Sequence, residues 1–478
     1  MNRTDFPRIH FYDQDFVDIY DKTWDRVNDY WMSGSGKGDE KYFVYSEDDG
    51  DFIEQYPSIF STFFLVYSNR NYSAEANLDY FYAKQEATGA IRKKYDIKTG
   101  KPVLTKANPE GLGIPLFAWA EYNIYHKTGN KKRVKDVLPV LLKYMEWIAE
   151  LFKEKNGLYK TPLAVTRMVN SPRKSAAFLI DFNSAMAINA LYLSALGDIL
   201  NDKEVSFQYK KLYFTLKTRI NDKMWDSDSG FYYDLDVKEQ HVPVRTLASY
   251  WPLLAEIPNE DKAAQMASYL SDPEIFGGEH PFPSLAANEP EFSDKGGGYC
   301  GSVFPDLNYI VIKGLEKYNR WSLARECAIR HIYYVLETLS PTDVDEYNKT
   351  ERALWEAYNP MKEGKAEWPR HTWFPRKNYI LTLALSTISL MIENVIGLNI
   401  SLPRKTVGWT IPSMEVMGIE NLSLKRNLIT ILSTKSNRGW EIHMESEKLY
   451  YFTIDIIGEK RKTLPIPSGK CSMLIDKL

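Results

Sequence analysis

Two helical segments of opposite character constrain this chain most. "KDVLPVLLKYMEWIAELFKEK" (135–155) places Val137, Leu138, Leu141, Tyr144, Met145, Ile148 and Leu151 at helical spacings, giving one apolar stripe on an otherwise charged helix. "DFNSAMAINALYLSALGDIL" (181–200) is apolar on most sides, so neighbours must cover more than one of its faces. Further helices are expected at 205–220, 261–271, 308–318, 321–338 and 378–396, separated by loops with turn chemistry such as "SDSG" (227–230), "FGGEHPFPS" (276–284) and "DKGGG" (294–298). Short turns alternating with long loops suggest paired-helix repetition, a toroid of helical hairpins. After about residue 400 the period changes. "WTIPSMEVMGIENLSLKRNLITILST" and "EKLYYFTIDIIGEKRKTLPIP" read as short strands cut by Gly, Pro and Asn turns. The expected organisation is a helical unit over 1–399, including an N-terminal extension, and a small β-sandwich-like domain over 400–478. A length of 478 residues accommodates such a large core and an appendage.

Composition narrows the function by exclusion. The formal net charge of −3 gives no overall pull toward nucleic acid or anionic membrane. No window approaches 18 uncharged apolar residues, so a membrane span is not expected. "MNRTDFPRIHFYDQ" lacks the layout of a signal peptide, from which a cytoplasmic location is expected; a periplasmic or secreted one would need a removed leader. The 3 cysteines show no CxxC spacing, and His280, His331 and His371 share no ligand spacing, so no metal is expected. GxSxG, Walker and HExxH motifs are absent. The aromatic content, 12 Trp, 32 Tyr and 22 Phe, suits either a large helical core or a cleft in which flat rings stack on sugars.

Several loop-like stretches gather aromatics, amides and carboxylates. The most concentrated is "TERALWEAYNPMKEGKAEWPRHTWFP" (350–375), in which three tryptophans accompany Glu356 where no regular element can run. Others are 52–64 with 77–96, holding Gln85 and Glu86, then 107–134, "RMVNSPRKSAAFLIDFN" (167–183), and "GGGYCGSVFPDLNY" (296–309). Glycosidic hydrolysis uses two carboxyl groups, one giving a proton and one activating water or attacking carbon, and apolar surroundings help separate their pKa values. Glu356, between Trp355 and Tyr358, suits either role; the plain alternative is a surface glutamate. Asp181 is the second candidate, with a helix-capping role as its plain alternative.

Read together, these stretches resemble trehalase-like and family 63 glycoside hydrolases, including the mannosylglycerate hydrolase-like group. "FAWAEYNIYHKTGNKKRVKDVLPVLLKYMEWI", "NLDYFYAKQEATGAI", "WDSDSGFYYDLD", "PSLAANEPEF…GGGYCGSVFPDLNYIVIKGLEKY" and "LWEAYNP…HTWFP" follow that family's order over roughly residues 50–396. The resemblance implies an all-α (α/α)6 barrel of the six-hairpin type carrying the β-sandwich-like tail. It implies inverting hydrolysis of a small α-linked carbohydrate without a cofactor, with Glu356 as general base. Gln85, Trp119, Tyr299, Trp355, Tyr358 and Trp373 would line sugar subsites, with Arg167 and Asn170 contributing from the third stretch. Arg167 and Arg173 would meet the anionic part of a charged substrate. There are departures. Where the family carries its acid in a segment like "SG.DNSP", this chain reads "TRMVNSPR", and Val169 occupies the aspartate's place. Cys300 and Phe304 also replace a bulkier polar group and a tryptophan. Asp181 is then the nearest substitute acid in sequence. A catalytically silent sugar-binding protein on the same barrel is the alternative, and a polysaccharide lyase using a Tyr or His base is a third.

Overall fold

In the computed structural model, which describes residues 6–33, 41–47, 50–68, 71–339, 353–424 and 427–474, the two kinds of helix form two layers. The fully apolar kind lies inside. α2 (Gln55–Leu65), α4 (Phe117–Thr128), α6 (Ile180–Leu200), α8 (Trp251–Leu254), α10 (Pro305–Lys317) and α12 (Thr382–Leu385) pack each on the next, and α12 returns to α2. Every residue of α2, α8 and α12 is buried. The outer layer holds α1 (Gln14–Tyr30), α3 (Ala76–Ala83), α5 (Lys131–Phe152), α7 (Lys203–Lys223), α9 (Glu260–Tyr269) and α11 (Trp321–Leu336). α5 buries the expected stripe, including Val137, Leu138, Leu141, Tyr144, Met145 and Ile148, whereas Leu151 is exposed. Its start is set by Asn130, whose side chain accepts from the Arg133 amide at 3.1 Å, just after Gly129 ends α4 at φ 65°.

Two expectations change. The segment 378–396 is not one helix: it breaks into α12, α13 (Thr387–Leu390) and a π-turn over Met391–Val395. Ser386, Thr387 and Ser389 each donate back to a carbonyl three residues earlier, at 2.6–2.8 Å, which competes with the regular ladder. Nor is the helical unit all-α. Tyr45–Glu47, Gly50–Glu54 and Lys94–Asp96 form a three-stranded antiparallel sheet in which Glu54 stands opposite Lys94.

The tail forms two sheets. One has the order 398–401, 406–411, 450–456, 460–466, with its central pairing parallel. The other runs 418–424, 427–436, 439–446, 469–474, and the strand Arg8–His10 is added at its free edge against 418–424. Period-two burial along 427–436 shows one face covered and the other wet. The tail is fastened to the helices by Arg325 on Glu415 at 2.8 Å and by the Leu402 amide on the His126 carbonyl at 2.7 Å.

Candidate functional site

Glu356 sits in the turn-rich segment after α11, between two backbone bonds that tie it to residues 20 positions on. Its amide donates to the Arg376 carbonyl at 3.1 Å, and its Oε2 accepts from the Arg376 amide at 3.3 Å. The Arg376 guanidinium completes a two-pronged grip, Nε to Oε2 at 2.9 Å and Nη2 to Oε1 at 2.8 Å. The Glu356 side chain is 8% exposed, yet it lines a cavity of about 420 Å³. That cavity lies where the sheet holding Glu47 and Glu54, the loop 164–170, the glycine run 296–298 and the segment 368–380 meet.

Each wall has a local cause. The glycine run adopts left-handed backbone, and a Cβ on Gly298 would lie 2.7 Å from the Asn170 amide group and 2.9 Å from Trp368. Asn170 clamps this loop, accepting from the Tyr299 amide at 2.9 Å and donating to the Gly297 carbonyl at 3.2 Å. Tyr299 stacks on Phe304 with ring centroids 4.1 Å apart, filling the place where a larger indole was expected. Trp373, 56% exposed, and Trp368 supply the indole surface, while Arg376 lies 3.1 Å over the Tyr379 ring.

Four cations and three carboxylates line the cavity. Lys94 donates to Glu47 at 2.6 Å, Tyr379 donates to the other Glu47 oxygen at 2.7 Å, and Arg376 reaches it at 3.7 Å. Burial pushes the Glu47 carboxyl up, but the bonds from Lys94 and Tyr379 outweigh it and leave it below the usual range. Glu54 accepts from the Tyr45 hydroxyl at 2.7 Å and faces Lys93 at 3.8 Å. Burial lowers the Lys93 ammonium's pKa. Arg167 meets Asp306 through Nε alone, at 3.3 Å, and its Nη2 is sealed from solvent with no hydrogen-bond partner. Val169, 53% exposed, gives the wall only alkyl surface.

The structure therefore gathers Glu356, Arg167, Asn170, Tyr299 and Trp373 and leaves the other expected residues elsewhere. Asp181 is not on this cavity. It is 3% exposed and receives Arg173 Nη2 at 2.9 Å, and the same guanidinium reaches Asp234 at 3.5 Å. That triad holds the start of α6, with Asp234 accepting the Ile180 amide at 2.7 Å; Arg173 pairs with the two aspartates there, its Nε and Nη1 making no hydrogen bond, and it does not line the cavity. Gln85 braces the backbone, donating to the Gly89 and Val140 carbonyls. Trp119 lines a separate cavity with Tyr309, Lys313 and Glu393. Trp355 sits under Lys365, and the buried Tyr358 hydroxyl accepts the Trp355 amide, so both support the segment from behind. The first residues of that stretch, 350–352, lie outside the described residues. Sequence reasoning missed Glu47, Glu54, Lys93, Lys94, Trp368, Arg376 and Tyr379. Among the described residues no His/Cys/Asp/Glu group is arranged to hold a metal, and no helix is long and apolar enough to cross a membrane.

Comparison with known proteins bears on the whole chain. An uncharacterized protein of Borreliella burgdorferi is 52% identical over 100% of both chains. The mannosylglycerate hydrolase of Thermus thermophilus is 30% identical over 104 residues, 21% of this chain and 24% of that one, so the match spans only a quarter of that relative. The solved structure of a family 63 mannosylglycerate hydrolase of Thermus thermophilus in complex with glucose superposes with a TM-score of 0.58 at 16% identity, covering 77% of this chain and 99% of that one. The trehalase C-terminal domain model matches residues 397–478. The mannosylglycerate hydrolase MGH1-like glycoside hydrolase domain matches residues 67–373, and with that the helical barrel and its strand-built tail place this chain in the MGH1-like glycoside hydrolase family.

Proposed function

We propose that the protein is a glycoside hydrolase of the inverting kind acting on a small α-linked glycoside, with Glu356 as the base. The observation that carries this is Glu356 on the wall of an aromatic cavity in a chain of a glycoside hydrolase family. The barrel is read as an (α/α)6 toroid over 1–399, supported by the helix series that returns from α12 to α2, with 400–478 as its β domain. Arg376 fixes the carboxylate in one orientation: its amide and Nε fill Oε2, while Oε1 meets only Nη2 and keeps a lone pair for the proton of a water attacking the anomeric carbon. Trp368, Trp373 and Tyr299 offer faces for a sugar ring. Neither Gln85 nor Asp181 is needed in this reading.

A second reading is favoured by one observation. Val169 is bare alkyl on the cavity wall, so the site has the features of a sugar-binding hollow without a proton donor. Turnover of nitrophenyl α-glycosides and α-disaccharides by the wild type and Glu356→Gln separates the two. Hydrolysis with inverted anomeric configuration by proton NMR, and a fall of about 10²-fold or more in Glu356→Gln, is expected. Equal background rates in both proteins would leave the binding reading.

A further inference from the structure

The cavity carries a base and lacks an evident acid. Glu47 is held ionised by Lys94, Tyr379 and Arg376. Glu54 accepts from Tyr45 at one oxygen and turns the other toward Lys93, and Glu356 is taken up by Arg376. A sugar alkoxide is a poor leaving group without a proton, and an acid in that role supplies about 10²–10⁴ in rate. A leaving group that departs as a stable anion needs none. The same cavity offers donors that nothing in the chain uses. Arg167 lines the cavity and gives only its Nε to a protein acceptor, Asp306 at 3.3 Å, so the rest of its guanidinium carries protons that no side chain among the described residues takes up. Lys93 spends one proton on the Ala164 carbonyl at 3.2 Å and stands beyond hydrogen-bond distance of Glu54. Both lie on one cavity with Glu356.

We propose that the substrate is a glycosyl phosphate, an inference that rests on the hydrolytic reading of this cavity. Arg167 and Lys93 hold the phosphate while Glu356 takes a proton from the attacking water. The water oxygen forms a bond to the anomeric carbon as the carbon–oxygen bond to phosphate breaks. The bonding pair leaves with the phosphate oxygen, and the water's proton passes to Glu356 and on to solvent. The products are a free sugar and inorganic phosphate. A phosphate monoester's second pKa of about 6 leaves a minor share of the substrate as the monoanion at neutral pH, and the bond breaks from that form, so the group departs as hydrogen phosphate with its proton already in place. Charge-assisted bonds from a guanidinium and an ammonium, neither of which can be replaced by alkyl surface, fit that charge.

The test uses the full chain against α-glucosyl, α-mannosyl and α-galactosyl phosphates, the matching fluorides, which also leave unprotonated, and the methyl glycosides. Cleavage of one phosphate and its fluoride is expected, with the methyl glycoside slower by about 10²-fold or more and both activities lost in Glu356→Gln. Arg167→Gly and the more conservative Arg167→Lys should lower the phosphate-to-fluoride rate ratio, Gly by about 10-fold or more, the loss of a charged hydrogen bond. Val169→Asp should raise the methyl glycoside rate. Fluoride cleavage without phosphate cleavage overturns the phosphate assignment and leaves Glu356 as base. Methyl glycosides cleaved as fast as phosphates overturn it too, since the site then has a proton donor. No cleavage of any of the three overturns both readings.

Discussion

The chain contains two acid–arginine clusters that look alike in sequence and differ in what surrounds them. Asp181 and Asp234 share Arg173 in the packed interior, where all three are 4% exposed or less. Glu356 and Glu47 share Arg376 at the edge of a cavity, and that arginine side chain is 34% exposed. The first cluster has every contact inside the protein and fixes the α6 start. The second has the same chemistry with one side open, so a ligand can reach the carboxylate. Access to a hollow, not the identity of the charged groups, separates the packed pair from the one proposed to react.

Four experiments sharpen that contrast. The largest effect is expected on turnover: Glu356→Gln should lose about 10²–10⁴ in kcat/KM, with the urea midpoint little changed because the partly exposed Arg376 keeps Glu47 nearby. Asp181→Ala should do the reverse, removing about 3–5 kcal/mol of stability by leaving Arg173 buried with one partner, while the enzyme that remains folded keeps its kcat/KM. A large turnover loss in folded Asp181→Ala would break the comparison. The third is a pH dependence. Burial pushes the Asp234 carboxyl up to about 6. The folded state thus binds its proton more tightly than the unfolded chain, so this group's contribution is fully present below about pH 4 and is lost as pH rises through 6. Stability measured by urea titration from pH 4 to 7 should fall, and Asp234→Asn should flatten that fall. The smallest change is expected for Trp373→Ala. Its indole is 56% exposed, so stability should shift within about 0.5 kcal/mol while KM rises from the lost stacking face.

Much of the layering was legible because helical period is a local signal: the 181–200 segment announced its burial and 427–436 its alternation. The stretch around Glu356 was also legible, since indoles beside a carboxylate in a broken segment are hard to place in a core. What failed depended on distant partners. An aspartate before an apolar helix reads the same whether it caps, catalyses or neutralises, and the decision for Asp181 was made by Arg173 and by Asp234, 53 positions further on. Glu47, Glu54 and Lys94 reach the cavity through strand register, which short runs specify weakly. The "DDG" run between "KYFVYSE" and "DFIEQ" is a turn signal that separates two strand-like runs and would have pointed to the first pairing. Arg376 was hidden because its role is fixed by tertiary contact with Glu356 twenty residues earlier.

Arg8–His10 pairs with Gly418–Glu420, so a strand that leaves the ribosome early completes a sheet whose partner leaves very late. At synthesis rates of about 5–20 residues per second, some 400 intervening residues correspond to roughly 20–80 s of waiting. Until then the 418–424 edge does not exist, and once made it stands unpaired, an aggregation-prone template, until the waiting residues 8–10 dock on it. Maturation of this chain is thus a clasp between its first and last hundred residues, and a tag or fusion that hinders residues 8–10 should depress soluble yield more than activity per folded molecule.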